Sequence, residues 1–137
     1  MQNQTVQLVR EYMNKNINVL VIEDNDQYRE FLSELLTVKG YSVSSACDGK
    51  QGMQLYHELR PDLVITDILM PKKDGFEVLA EIKKIKPMQP VIAISGYRKN
   101  KDMIFLDMMK SLGAAESLEK PIEINALISA IKNVLKK

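Results

Sequence analysis

The chain has 137 residues, 45% hydrophobic and 27% charged, which suits one globular domain around a single core. Its 19 basic and 18 acidic side chains leave a net charge of +1, too balanced for the broad positive field that non-specific nucleic-acid binding needs. Cys47 is the only cysteine, which excludes an internal disulfide and a cysteine-built metal site and fits a reducing, cytoplasmic setting; no apolar run reaches the ~20 residues of a membrane span.

Residues 1–16 are polar at the start, without the basic and then apolar order of a secretory signal. Val6, Leu8, Val9, Tyr12 and Met13 permit a short amphipathic helix there, with disorder as the alternative, so residues 1–16 are read as an N-terminal extension and residues 17–137 as the domain. Next comes VLVIEDND, Val19 to Asp26, an aliphatic run that delivers Glu23, Asp24 and Asp26 at its end. Val19 to Ile22, Leu63 to Ile65 and Val91 to Ile94 are short continuous runs rich in β-branched residues, the pattern of strands covered on both faces. Tyr41 to Ala46 mixes serines with Tyr41 and Val43 and reads as an edge strand, and Ala115 to Leu118 is a weaker fifth strand.

Helical spacing fills the intervals. Tyr28, Phe31, Leu32, Leu35 and Leu36 make one apolar stripe, which Gly40 terminates. Asp48 precedes a helix through Leu59, and Asp74 with Glu77 forms a cap pair for one through Ile85. Ile104, Phe105, Met108, Met109 and Leu112 mark the fourth helix; Ile124, Leu127, Ile128, Ile131 and Leu135 mark the fifth. The order βαβαβαβαβα predicts an α/β fold with a doubly wound, five-stranded parallel sheet and helices on both faces. In such sheets the ligand crevice lies at the carboxyl ends of the strands.

Those ends carry Glu23 and Asp24, Asp67, Ser95, and Lys120 followed by Pro121. A strand order of 2-1-3-4-5 would bring three carboxylates, a hydroxyl and an ammonium into one shallow pocket. Two like charges ~5 Å apart repel by ~3 kcal/mol at an effective dielectric of ~20, so a cation is expected among the acids. Oxygen-only ligands open to water suit Mg2+ (or Mn2+).

IEDN at Ile22 to Asn25, TDILMPKKDG at Thr66 to Gly75, ISG at Ile94 to Gly96 and LEKP at Leu118 to Pro121 resemble the receiver domain of two-component response regulators, in the manner of chemotaxis regulators. Each motif alone is weak; in order, and each at a strand end, they are specific, and the resemblance spans about Ile17 to Leu135. It implies a flavodoxin-like fold and a phosphorylation-dependent switch rather than a turnover enzyme. Asp67 would be the phosphoacceptor, Asp24 a direct metal ligand, Glu23 an acid holding the metal through water, and the Leu69 carbonyl a further ligand. Ser95 would bond the phosphoryl group and Lys120 would pair with it, ahead of a cis peptide to Pro121. Asp26 needs no such role, because a carboxylate is favourable at a helix start.

The implied partners are a sensor histidine kinase or histidine phosphotransfer protein and a downstream target protein, with no direct nucleic acid and no membrane. The protein would be a monomer or a phosphorylation-dependent dimer, acting alone or as a receiver fragment of a larger response regulator or hybrid kinase. Ser117 departs from the family pattern, which has an aromatic switch residue on the fifth strand. The expectation is that Ser95, Tyr97 and the loop to Lys101 carry the switch instead. Neither Leu69 nor Tyr97 offers a carboxylate or amide to hold an attacking water, which predicts slow self-dephosphorylation.

Other readings fit less well. An Mg2+-dependent aspartyl phosphohydrolase would want a second aspartate two positions after Asp67, and a flavodoxin would not open its first loop with EDND. A degenerate receiver would not fill all five site positions. His57 reads as an exposed helix position, Cys47 as packing or loop, and the methionines as core filling. Lys83, Lys84 and Lys86, like Arg98, Lys99 and Lys101, read as solvated basic groups, the second set flanking the pocket.

Overall fold

The computed structural model describes residues 4–9, 17–96 and 99–136, of which 99–103 by backbone only. Among the described residues from Asn18 on, ten elements alternate strand and helix: β1 (Asn18–Ile22), α1 (Asp26–Val38), β2 (Ser42–Ala46), α2 (Gly49–Leu59), β3 (Leu63–Asp67), α3 (Gly75–Ile85), β4 (Val91–Ser95), α4 (Lys99–Ser111), β5 (Glu116–Glu119) and α5 (Ile124–Leu135). All strand pairs are parallel and the sheet order is β2-β1-β3-β4-β5, as expected. Residues 4–9 are also helical, with Val6, Leu8 and Val9 exposed; Tyr12 and Met13 lie outside the described residues.

The two faces of the sheet follow from the period of two along each strand. Val19, Val21, Leu63, Ile65, Ile92 and Ile94 point to one side and pack with Leu32 and Leu36 of α1 and Leu127 and Ile131 of α5. Leu20, Ile22, Val64, Val91 and Ala93 point to the other and meet Met53 and Tyr56 of α2, Val78, Leu79 and Ile82 of α3, and Met109 of α4. Covered on both faces, β1, β3 and β4 need continuous apolar sequence, whereas the edge strand β2 tolerates its serines.

Local signals set the helix ends. Asn25 caps α1 through its side chain, and Gly40, at φ 97°, turns the chain out of it. Asp74 and Glu77 form a reciprocal capping box at the start of α3. Gly75 serves a second purpose: a Cβ there would sit 2.3 Å from the Asp67 carbonyl oxygen, so only glycine lets α3 start against the end of β3.

Three expectations need correction. α4 begins at Lys99, so the connection from Ser95 is shorter than a loop to Lys101; Lys99, Asn100 and Lys101 give its first turn no apolar residue for a pattern to register. Lys83 is not a solvated group: its ammonium donates to the carbonyls of Pro87 and Gln89 at 3.1 and 2.9 Å and its stem covers Gly113. Met53 and Met109 fill core as expected, but Met88 and Met108 are exposed. Lys84 and Lys86 are solvated, Cys47 is exposed after β2, and His57 is exposed on α2, 3.6 Å from Glu81. Arg98 and the side chains of Lys99 and Lys101 lie outside the described residues.

Asp48 caps α2, accepting from Gln51 N at 2.8 Å. That bond holds its carboxyl below the usual range against the effect of burial, helped by Lys72 at 3.7 Å and by the neighbouring Cys47 thiol. A depressed folded-state pKa stabilises above the unfolded value of ~3.9, and the contribution disappears as pH falls through the folded value. Asp48→Asn keeps a capping oxygen, so it is expected to stay within about 1 kcal/mol of wild type near neutrality and to lose this part of the acid-side decline. Urea unfolding across the acid range would measure both.

Candidate functional site

β1 and β3 end side by side, and their last residues point the chemistry past the sheet. Glu23 follows β1 directly, tied down by its backbone N–H to the Ala46 carbonyl at 3.0 Å. Its side chain is 0% exposed; Oε2 accepts from Asn25 N at 3.0 Å. Asp67 ends β3 and is buried as well, with Oδ1 accepting from Ile68 N at 2.7 Å. Asp24 is exposed at the mouth. One carboxylate oxygen from each of Glu23, Asp24 and Asp67 lies within 4.8 Å of the other two.

Lys120 arrives from the far side. Its backbone N–H donates to the Ser95 carbonyl at 2.8 Å, which fixes the end of β5 against the end of β4, and the following bond to Pro121 is cis. Its ammonium lies between the two buried acids, against Glu23 Oε1 and 3.2 Å from Asp67 Oδ2. Glu23 Oε1 is thus fully buried, with the Lys120 ammonium against it.

The electrostatics follow from this packing. Burial, then the nearby Asp67 charge, pushes the Glu23 carboxyl up to about 7, even though Lys120 and the Asn25 N–H pull the other way. Burial also raises Asp67, opposed by Lys120 and the Ile68 N–H. For Lys120 burial disfavours the charged form, but the two carboxylates outweigh it and hold the ammonium above the usual lysine range.

The remaining expected residues are placed less completely. Ser95 is buried at the end of β4, beside Ile94, the register partner of Asp67. Leu69 is exposed two residues after Asp67. Ser117 of β5 pairs in register with Ala93, which lies two residues before Ser95 on the same face of β4. Tyr97 lies outside the described residues. Two further residues belong to the site's surroundings. Arg29 donates to the Glu23 carbonyl at 2.9 Å and pairs with Asp26 at 2.7 Å, and the Tyr28 ring centroid lies 4.6 Å from Lys120 Nζ. Only their place on the first turn after Asn25 could have pointed to either.

Residues 19–132 match the model of the response regulator receiver domain. The chain belongs to this family. Relatives of the receiver include the probable C4-dicarboxylate response regulator DctR of Bacillus subtilis, 38% identical over 86% of this chain and 52% of that protein. The transcriptional regulatory protein AfsQ1 of Streptomyces coelicolor is 34% identical over 88% of this chain and 52% of its own length. The chain thus spans about half the length of these curated relatives. Among solved structures, a response regulator receiver domain protein from Clostridium thermocellum superposes with a TM-score of 0.82 at 34% identity, covering 88% of this chain and 94% of the other. The receiver domain of a signal transduction histidine kinase from Syntrophus aciditrophicus gives 0.76 at 27% identity, covering 87% and 89%.

A buried carboxylate pair balanced by one ammonium is sensitive to loss of the cation. Lys120→Met is expected to destabilise the chelator-treated receiver by about 3 kcal/mol at neutral pH. Adding Glu23→Gln to it should recover most of that loss, and a double-mutant cycle by urea unfolding would show the coupling.

Proposed function

We propose that this receiver takes a phosphoryl group onto Asp67 from a phosphohistidine on a sensor histidine kinase or histidine phosphotransfer protein, and that the modified form binds a downstream target protein differently. Residues 17–137 would form the receiver unit and residues 1–16 an extension. The observation that carries this reading is the convergence of Asp67, two further acids and Lys120 from three strand ends on one spot.

In the transfer, an oxygen of Asp67 forms the new bond to phosphorus while the bond from phosphorus to the donor imidazole nitrogen breaks, leaving a neutral histidine once that nitrogen has a proton. Asp67 Oδ1 is engaged by the Ile68 N–H, which orients the carboxylate and leaves Oδ2 on the Lys120 side. Lys120 then balances charge on the transferring oxygens, which develops where its ammonium already lies. The buried Ser95 hydroxyl would bond the phosphoryl group afterwards.

A divalent ion fits this donor set: three carboxylates meet within 4.8 Å of one another, and all the ligands are oxygens. Asp24 and Asp67, the Leu69 carbonyl and, through water, Glu23 would hold Mg2+ or Mn2+. When bound, the ion supplies positive charge against the phosphoryl oxygens and offsets the repulsion among the acids.

Ser95, Tyr97 and Ser117 are proposed as the switch, with the segment after Ser95 carrying the signal. The same chemistry serves a stand-alone regulator and the receiver portion of a longer response regulator or hybrid kinase. The second setting is supported by the histidine-kinase receiver among the solved structures and by the greater length of the curated relatives.

Incubation with acetyl phosphate and Mg2+ is expected to add one phosphoryl group by intact mass, and Asp67→Asn to abolish it. Because the Leu69 side chain is aliphatic, the acyl phosphate should persist for minutes or longer in purified protein; a half-life of seconds would contradict this. Beryllofluoride with Mg2+ is expected to move the amide chemical shifts of residues 95–101, and unchanged shifts there would reject the switch assignment.

A further inference from the structure

We propose that Tyr28 is a positioning residue for Lys120, and through it for phosphoryl transfer at Asp67; this rests on the reading of Asp67 as acceptor. Lysine is a point charge on a flexible four-carbon stem, so placing its ammonium between two acids requires something to restrict the stem. The carboxylates of Glu23 and Asp67 supply two attractions. The face of Tyr28 supplies a third, its centroid 4.6 Å from Nζ.

The ring is itself held. Tyr28 N donates to Asn25 Oδ1 at 2.9 Å within the cap of α1, and the ring makes an edge contact with Phe31 at a centroid distance of 5.8 Å. Its hydroxyl accepts from Ile122 N at 3.1 Å, two residues beyond Lys120. One side chain therefore meets the Lys120 ammonium through its ring and, through its hydroxyl, the backbone two residues further on. It does so from the helical turn that directly follows Glu23 and Asp24, so the acids and the cation are referred to the same piece of chain. The contacts of Tyr28 fall on Asn25, Phe31, Lys120 and Ile122, away from the proposed metal oxygens, which separates its effect from metal binding.

Ring and hydroxyl can be tested apart. In the full chain, the Lys120 ε-methylene protons, followed by proton–carbon NMR, are expected upfield of the other lysines because of the ring face beneath them. Tyr28→Phe should keep that displacement and a saturating rate with acetyl phosphate within about twofold of wild type. Tyr28→Leu should abolish the displacement and slow the saturating rate about fivefold or more, with the half-saturating Mg2+ concentration changed by less than about twofold. An undisplaced Lys120 signal in the wild type overturns the proposal, and so does a Tyr28→Leu protein that transfers at the wild-type rate. If Tyr28→Leu does not fold, the wild-type and Tyr28→Phe spectra still decide it. If wild type takes up no phosphate, the acceptor reading fails while the Lys120 signal still answers for Tyr28.

Discussion

Two buried carboxylates, Glu23 and Asp67, stand at the ends of neighbouring strands with a single ammonium, Lys120, between them. Removing two charges from water costs several kcal/mol each, and only close opposite charge repays it. The contact joins residues far apart in sequence, and it exists because β1, β3, β4 and β5 lie consecutively in the sheet, with β2 outside them at the edge. Right-handed parallel crossovers put every strand's carboxyl end on one side, so the acids and the lysine come together without any loop reaching across.

The packing beneath explains why this arrangement holds its shape. Ile22 and Thr66 are register partners immediately before Glu23 and Asp67, and both are fully buried in a sheet covered on two faces. Above the sheet, the connection after β3 is clamped from both sides. Gly75 lies against the Asp67 carbonyl, and a Cβ on Gly49 would sit 2.0 Å from the Lys73 carbonyl, so α2 and the segment before α3 are in backbone contact. Lys73 continues the link by pairing with Glu81, which holds Glu81 below its ordinary range. Movement of the chain after Asp67 is thus coupled to α2 and α3 rather than free.

Where sequence reasoning succeeded, the signal was local or periodic. The alternation of elements, the caps at Asp48 and Asp74, the turn at Gly40 and the edge character of β2 all depend on residues within a few positions of one another. The candidate site was legible for a related reason: Glu23, Asp24, Asp67, Ser95 and Lys120 each follow or end an apolar run, and strand ends are where parallel sheets bind ligands. What was misread had no local signature. The first turn of α4 is polar, the stem of Lys83 is spent covering Gly113 across the fold, and Tyr28 looks in sequence like one more apolar position of α1.

By itself, then, the amino-acid order determined the succession of strands and helices and which polar groups end each strand, because these are properties of nearest neighbours and of periodicity; the buried faces were read less completely, since Phe31, Ile104, Met108, Leu112 and Ile124 of the helical stripes are exposed. Tertiary structure alone decided that Lys120 is shared between Glu23 and Asp67, that the Glu23 carboxyl rises to about 7, and that an aromatic ring from α1 lies under the ammonium. Burial and charge proximity are set by distances in space, and those distances appear only when the sheet has assembled.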